Sequence, residues 1–144
     1  MNIEKNDLAG GYALIQVYTD GATNVNTEKS GAGIYIKAGE KKLEYTVPLP
    51  YMSNHEAEFH AIIEALKICK MNFPEEILSF RTDSKVAADV IDKGRTKNKQ
   101  FLPLLEIIQA EAADFPFLFI KWIPEKENSR ADQLARKAIH QQSS

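Results

Sequence analysis

Hydrophobic and polar residues in the first third of the chain follow the patterns of three successive β-strands. Leu14–Tyr18 is a short, mostly apolar run that stops at residues 19–21, which predicts a buried strand meeting a turn. Gly31–Lys37 predicts a second strand. Apolar and polar residues alternate over 42–47, which predicts a third, half-buried strand ended by Pro48 and Pro50.

Helices and strands alternate in the rest of the chain. Gly39-Glu40 predicts a hairpin between the second and third strands, and Ser53 with Glu56 has the spacing of a helix capping box. The later predicted elements are the strand Ile77–Arg81, a short helix that stops near Gly94, the helix Phe101–Ala113, the strand Phe117–Ile123 and the helix Ser129–His140. The order β-β-β-α-β-α-α-β-α predicts an α/β fold in which helices cover a mixed sheet.

Composition narrows the class of protein. A chain of 144 residues suits one domain, which we place at 11–142 after a loose tail at 1–10 that does not resemble a signal peptide. A single cysteine, Cys69, excludes a disulfide framework within the chain and is compatible with the cytoplasm. No apolar run is long enough to span a membrane. The net charge of −2 argues against a protein that binds nucleic acid through a large overall excess of positive charge.

Two aspartates follow the same local pattern. Asp20 and Asp83 each come just after an apolar strand, behind a threonine and before a small residue. In open sheets, ligand chemistry gathers at the carboxyl ends of strands, so neighbouring strands would place the two carboxylates side by side. The alternatives are a turn aspartate at Asp20 and a helix N-cap at Asp83.

Two further carboxylates lie near helix starts. Glu58 lies on the apolar stripe of the first predicted helix, where a charge is costly unless it is paired or bound to metal. Its alternative is a first-turn position that still reaches water. Asp132 follows Ser129 with capping-box spacing, and from spacing alone that interpretation is the better one. Glu56 is already explained by the capping box at Ser53.

If these four carboxylates met, they would repel each other by about 4 kcal/mol per pair at 4 Å and an effective dielectric near 20. Such a cluster stays ionised only when cations neutralise it. Hard oxygen ligands without a cysteine or histidine set favour Mg²⁺ or Mn²⁺. Two such ions about 3.5–4 Å apart would permit phosphodiester cleavage.

The sequence resembles the ribonuclease H family, type 1. The resemblance extends from about Leu14 to His140, and its motifs occur in family order. The matching stretches are Tyr18-Thr19-Asp20-Gly21-Ala22, Asn54-His55-Glu56-Ala57-Glu58, Thr82-Asp83-Ser84 and Asn128-Ser129-Arg130-Ala131-Asp132-Gln133-Leu134-Ala135. The resemblance implies a five-stranded mixed sheet flanked by helices, and a metal-dependent endonuclease, acting as a monomer, that cuts the RNA strand of RNA–DNA hybrids.

Site residues also follow from the resemblance. It implies that Mg²⁺ or Mn²⁺, as two ions with substrate, is bound by the metal-binding and catalytic carboxylates Asp20, Glu58, Asp83 and Asp132. It further implies substrate contacts at Gly21, Ala22, Asn54 and Asn128, and a pocket for a DNA-strand phosphate at Asn26 and Ser53.

Two features depart from the family pattern. The loop 123–128 lacks the histidine or arginine that assists proton transfer or product release, so turnover is expected to be slow unless Glu125 or Lys126 substitutes. The segment 93–99 carries four basic residues and is either a hybrid-binding loop or a solvated loop.

The sequence also suggests two alternatives to a nuclease. One is a nucleic-acid-binding paralogue with little or no catalysis, which the missing histidine or arginine favours and the four carboxylates oppose. The other is a nucleotide-binding α/β domain, which we discount because Gly31-Ala32-Gly33 matches neither phosphate-binding fingerprint.

Overall fold

The chain folds around one five-stranded sheet with the strand order β3-β2-β1-β4-β5. The structure is a computed structural model that describes residues 13–142, so the tail predicted at 1–10 lies outside the described residues. The elements are β1 (Leu14–Asn24), β2 (Lys29–Ala38), β3 (Lys41–Leu49), α1 (Asn54–Asn72), β4 (Ile77–Thr82), α2 (Lys85–Lys93), α3 (Leu102–Ala112), β5 (Leu118–Trp122), a 3₁₀ turn (Glu125–Glu127) and α4 (Ser129–Gln141). The predicted α/β fold and element order are confirmed.

The sheet is mixed. β1, β2 and β3 form an antiparallel meander, whereas β4 runs parallel to β1 and β5 runs parallel to β4. Gly39 has a φ of 62°, as the predicted hairpin between β2 and β3 requires. The parallel pairing of β1 with β4 stops at Thr19 and Thr82, and the next residues of β1 lie against the first turns of α1.

Helices cover the two faces unequally. α1 packs on β1 and β2, with α2 and α3 beside it, and the main apolar core lies on this face. Of the four helices in the described residues, α4 is the one that packs on the opposite face, against β1, β2 and β3. No helix of the described residues is long and apolar enough to cross a membrane.

The stops predicted at residues 19–21 and at Pro48 are wrong, because strand pairing outweighs local turn and proline signals. The turn expected at residues 19–21 is not formed, since β1 continues to Asn24 and pairs with β2 along that length. β3 runs through Pro48 and ends at Leu49, directly before Pro50. Proline is tolerated there because β3 is an edge strand.

Candidate active site

Asp20 and Asp83 lie where β1 and β4 stop pairing. The last parallel pair is Thr19 with Thr82, and each aspartate is the next residue along its chain. β4 ends at that point, whereas β1 continues and pairs Asp20 with Gly33 of β2. The structure thus brings the two aspartates to one edge of the sheet, as their shared pattern predicted.

The alternative roles for the two aspartates are wrong. Asp20 is a strand residue with only 5% of its surface exposed, so it is not a turn aspartate. Ser84, rather than Asp83, caps α2, because its hydroxyl accepts the backbone N–H of Ala87 at 3.1 Å. The Asp83 carboxylate is therefore free of any capping role.

Glu58 reaches the aspartates because α1 lies very close to β1. A Cβ at Gly21 would lie 2.2 Å from the backbone carbon of Ala57, so only glycine allows this approach. The Gly21 N–H donates to Glu58 Oε1 at 2.9 Å and fixes the carboxylate. Glu58 is 6% exposed, so the alternative of a first-turn glutamate that reaches water is wrong.

Asp132 enters the same site from the opposite face of the sheet. A Cβ at Gly33 would lie 2.0 Å from the Ala131 carbonyl oxygen, so this glycine admits α4 directly beside Asp20. The capping-box interpretation of Asp132 is wrong, because α4 already begins at Ser129 and has no side-chain cap. The Asp132 carboxylate instead accepts from the Arg136 guanidinium at 3.2 Å.

These carboxyl groups form a crowded acidic centre. Oxygens of Asp20, Glu58 and Asp83 all lie within 4.8 Å of one another. Burial, followed by the charges of Glu58 and Asp83, raises the pKa of Asp20 far above its usual range. Burial also raises the pKa of Glu58 and of Asp83, although the Gly21 N–H opposes the effect at Glu58 and Asn128 opposes it at Asp83.

The donor set fits hard divalent cations. Among residues 13–142, no lysine or arginine forms an ion pair with Asp20, Glu58 or Asp83. Three buried or half-buried carboxylates with oxygen atoms this close, and without an ion pair to a lysine or arginine of the described residues, are suited to Mg²⁺ or Mn²⁺. Asp132 lines the same cleft and can add a fourth carboxylate.

Two side chains support Asp83 from behind. The Asn128 amide donates to the Thr19 carbonyl of β1 at 2.8 Å and lies 3.5 Å from Asp83 Oδ2, so one side chain contacts both strands. The Trp122 indole N–H donates to the Asp83 carbonyl at 3.1 Å. Asn128 is 1% exposed, so the structure places it beneath the carboxylates and outside the lining of the cleft.

The carboxylates open into a cleft of about 480 Å³. The cleft is lined by Gly21, Ala22 and Asn54, for which the family resemblance implies substrate contacts. His55 also lines the cleft and packs edge-on against Phe101, with ring centroids 6.1 Å apart. The cleft is lined mainly by polar groups and opens to solvent, which suits the binding of an extended anionic substrate.

Other predicted substrate residues lie outside this lining. Asn26 is exposed in the connection between β1 and β2. Ser53 caps α1, with its hydroxyl accepting the Glu56 N–H at 3.1 Å, and the predicted capping box is confirmed. The basic segment 93–99 begins at the last residue of α2 and continues into the connection to α3, and none of its residues lines the cleft.

Sequence reasoning missed two cations in the cleft, Lys85 and Arg136. The spacing of each residue from a predicted site carboxylate could have indicated its position. Lys85 follows Asp83 by two residues at the start of α2, and Arg136 follows Asp132 by four residues, which places them on one face of α4. Glu125 is the side chain from the loop 123–128 that lines the cleft, so the loop offers a carboxylate where a histidine or arginine was expected.

Relatives of this chain match most of its length. Over 127 residues it is 39% identical to EbsB of Enterococcus faecalis, a protein provisionally assigned as a hydrolase; the match covers 88% of this chain and 94% of EbsB. It is 29% identical over 141 residues to the ribonuclease H of Bradyrhizobium diazoefficiens, covering 88% of this chain and 90% of that enzyme.

Solved structures share the fold. LC11-RNase H1, crystallised in complex with an RNA/DNA hybrid, superposes with a TM-score of 0.82 at 26% identity, covering 90% of this chain and 99% of that one. RNase H1 of Halobacterium salinarum has a TM-score of 0.81 at 23% identity, covering 89% and 98%. The family model described as RNase H matches residues 13–140, and the chain therefore belongs to the ribonuclease H family.

Proposed function

We propose that this protein is a metal-dependent endonuclease that hydrolyses the RNA strand of RNA–DNA hybrids. The observation that carries the proposal is the convergence of Asp20, Glu58 and Asp83 within 4.8 Å at the mouth of an open cleft. The similarity to LC11-RNase H1, whose structure holds an RNA/DNA hybrid, supports the choice of substrate.

Metal ions would be held by Asp20, Glu58, Asp83 and Asp132. If two divalent ions were bound there, they would supply positive charge to activate a water molecule and to stabilise the leaving oxygen of the phosphodiester. The chain's own contribution is preorganisation. The Gly21 N–H donates a hydrogen bond to the Glu58 carboxylate. The Asn128 amide contacts both the Thr19 carbonyl of β1 and the Asp83 carboxylate.

The cleft also provides groups for the nucleic-acid backbone. Lys85 and Arg136 bring positive charge to a site that is otherwise acidic, and Asn54 and His55 face the cleft from the start of α1. We expect contacts to phosphates and ribose 2′-hydroxyls to decide binding, because base edges in an A-like duplex are poorly accessible to side chains.

We further propose that the DNA strand's phosphate binds near Asn26 and Ser53. The Ser53 hydroxyl accepts one hydrogen bond from Glu56 within the capping box, and it still has its own proton to donate to a phosphate oxygen. Asn26 is exposed on the connection that follows β1 and has its amide available to solvent. A monomeric protein acting in the cytoplasm stays a prediction.

One observation favours a binding paralogue with little catalysis. The loop 123–128 contains no histidine or arginine, and its cleft-lining side chain is the carboxylate of Glu125. A carboxylate is a poor proton donor to a leaving group at neutral pH unless its pKa is raised. We therefore expect cleavage to be slow, with Asp20 still required for it.

Cleavage of an end-labelled RNA–DNA hybrid with Mg²⁺ or Mn²⁺ tests the proposal. The wild-type protein should cut the RNA strand only with metal, and Asp20→Asn should abolish cutting. Asp89→Asn, which removes an exposed carboxylate of α2, is the matched control and should cut like the wild type. Hybrid binding without cutting by both wild type and Asp20→Asn would establish the paralogue instead.

A further inference from the structure

The sheet has a second surface that the proposed active site does not use. On one face of the sheet, α4 covers β1, β2 and β3 near Gly33. In the described part of the chain, β4 and β5 are open on that same face. We define the open face by six residues that point outward from this side of the sheet: Tyr18, Tyr35, Lys37, Arg81, Phe119 and Lys121.

Strand register arranges these residues in two adjacent rows. One row runs across four strands through Tyr35, Tyr18, Arg81 and Lys121. The neighbouring row has Lys37 on β2 and Phe119 on β5. Since neighbouring strands are about 4.8 Å apart, the cations Lys37, Arg81 and Lys121 are spread over a strip roughly 15 Å wide.

Aromatic rings hold two of these cations over the sheet. The Arg81 guanidinium lies 5.4 Å from the centre of the Tyr18 ring, and Lys37 Nζ lies 5.5 Å from the same ring and 5.8 Å from that of Tyr35. Cation–π contacts restrain both side chains and leave their N–H groups free to donate. Glu44, an acidic neighbour of Tyr35 in register, is already paired with Arg130, whereas Glu127 lines the same pocket as Lys37.

At one end of the open face, Phe119 forms an exposed aromatic pair with Phe117, which lies just before β5. Phe117 and Phe119 are 58% and 56% exposed, and their rings lie nearly parallel, 12° apart in plane with centroids separated by 6.1 Å. Two flat, solvent-facing rings beside a positive strip match the composition of surfaces on which unpaired bases stack. The strip is cationic although the chain as a whole has a net charge of −2.

We propose that the open face binds single-stranded nucleic acid, with phosphates at Lys37, Arg81 and Lys121 and bases stacked on Phe117 and Phe119. A single strand is favoured over a duplex because stacking on the phenylalanines needs bases whose faces are not covered by neighbouring pairs. Binding is independent of base sequence, since phosphate contacts and stacking carry little sequence information. The site goes beyond the proposed cleavage and does not need it.

Fluorescence anisotropy with labelled oligothymidine and oligouridine, in EDTA, tests this surface in the whole protein. Phe119→Ser should weaken binding about fivefold or more, as expected for the loss of one stacked base. Lys121→Gln should lower the slope of log K against log salt by about 0.7, the value for one phosphate contact to a single strand. Met71→Ser and Lys67→Gln remove an exposed apolar and a basic side chain from α1 and should change neither quantity.

Three results would overturn the proposal. The wild type could fail to bind either oligonucleotide at low salt, or Phe119→Ser and Lys121→Gln could bind as the wild type does. Sedimentation velocity could also show a wild-type dimer that Phe119→Ser dissociates, which would assign the face to self-association. Because divalent metal is absent from all these measurements, none of these results depends on whether the cleft cleaves a hybrid.

Discussion

At the scale of single residues, the acidic centre lowers the stability of the fold, and bound cations would offset this cost. Asp20 is buried beside Glu58 and Asp83, and burial with mutual repulsion raises the pKa of each. Replacing one carboxylate by an amide keeps the shape and removes a charge. The cluster should therefore be less stable without metal than the same cluster with one carboxylate neutralised.

We predict that Asp20→Asn raises the melting temperature of the metal-free protein near neutral pH by a few degrees, on the order of 1 kcal/mol. Asp83→Asn should act in the same direction with a smaller effect, because Asp83 is only partly buried. Differential scanning calorimetry in EDTA measures both, with Asp89→Asn as the exposed control. A clear fall in melting temperature for both variants would contradict a crowded site.

Gly21 is the residue on which the position of Glu58 depends most directly. We predict that Gly21→Ala costs about 1–3 kcal/mol, since its Cβ would meet the α1 backbone at 2.2 Å, and that it weakens Mg²⁺ binding. Gly94→Ala is the control, because it strains a position at φ 70° far from the carboxylates. Thermal denaturation and calorimetric Mg²⁺ titration should show both variants destabilised and only Gly21→Ala impaired in metal binding.

At the scale of elements, the start of α1 serves both folding and the proposed phosphate pocket. Ser53 and Glu56 form the two halves of the capping box. We predict that Ser53→Ala and Glu56→Ala each lower stability, by about 1 kcal/mol for the serine. Only Ser53→Ala should also raise KM for the hybrid, and steady-state cleavage beside thermal melts separates the two effects. Equal KM values would confine Ser53 to its cap.

The elements show how far sequence could predict this molecule. Residues near in sequence decide where α1 begins and that Gly94 ends α2, so local patterns predicted them correctly. The end of β1 depends on β2, which pairs with it through Asn24, and no local signal at residues 19–21 contains that information. Local reasoning failed for the same reason at Pro48, whose tolerance depends on β3 being an edge strand.

The candidate site divides in the same way. The proximity of Asp20 and Asp83 could be predicted from their repeated pattern, because each directly follows the last parallel pair of β1 and β4. Asp132 could not be chosen on spacing, since its proximity to Asp20 depends on Gly33 admitting α4 from the other face. Family resemblance supplied that assignment. The burial of Asn128 beneath the site likewise depends on contacts distant in sequence.

At the scale of the whole molecule, the raised carboxyl pKa values couple stability to pH. Asp20 and Glu58 hold protons in the folded, metal-free protein at pH values where the unfolded chain has released them. Their stabilising contribution is complete below about pH 4 and is lost as pH rises toward their folded pKa values. His60 contributes in the opposite direction, because burial lowers its pKa. A comparison between variants is therefore more informative than one pH profile.

We predict that the metal-free wild type loses stability relative to Asp20→Asn as pH rises from about 5 to 8, by up to about 1.4 kcal/mol per pH unit for each proton concerned. Saturating Mg²⁺ should reduce this loss, because bound cations favour the ionised carboxylates that high pH produces. Urea unfolding of both proteins across this range, with and without Mg²⁺, measures the difference, in which the contribution of His60 cancels. Parallel pH profiles in EDTA would mean that Asp20 is ionised in the folded protein without metal. The acidic centre would then need another source of positive charge.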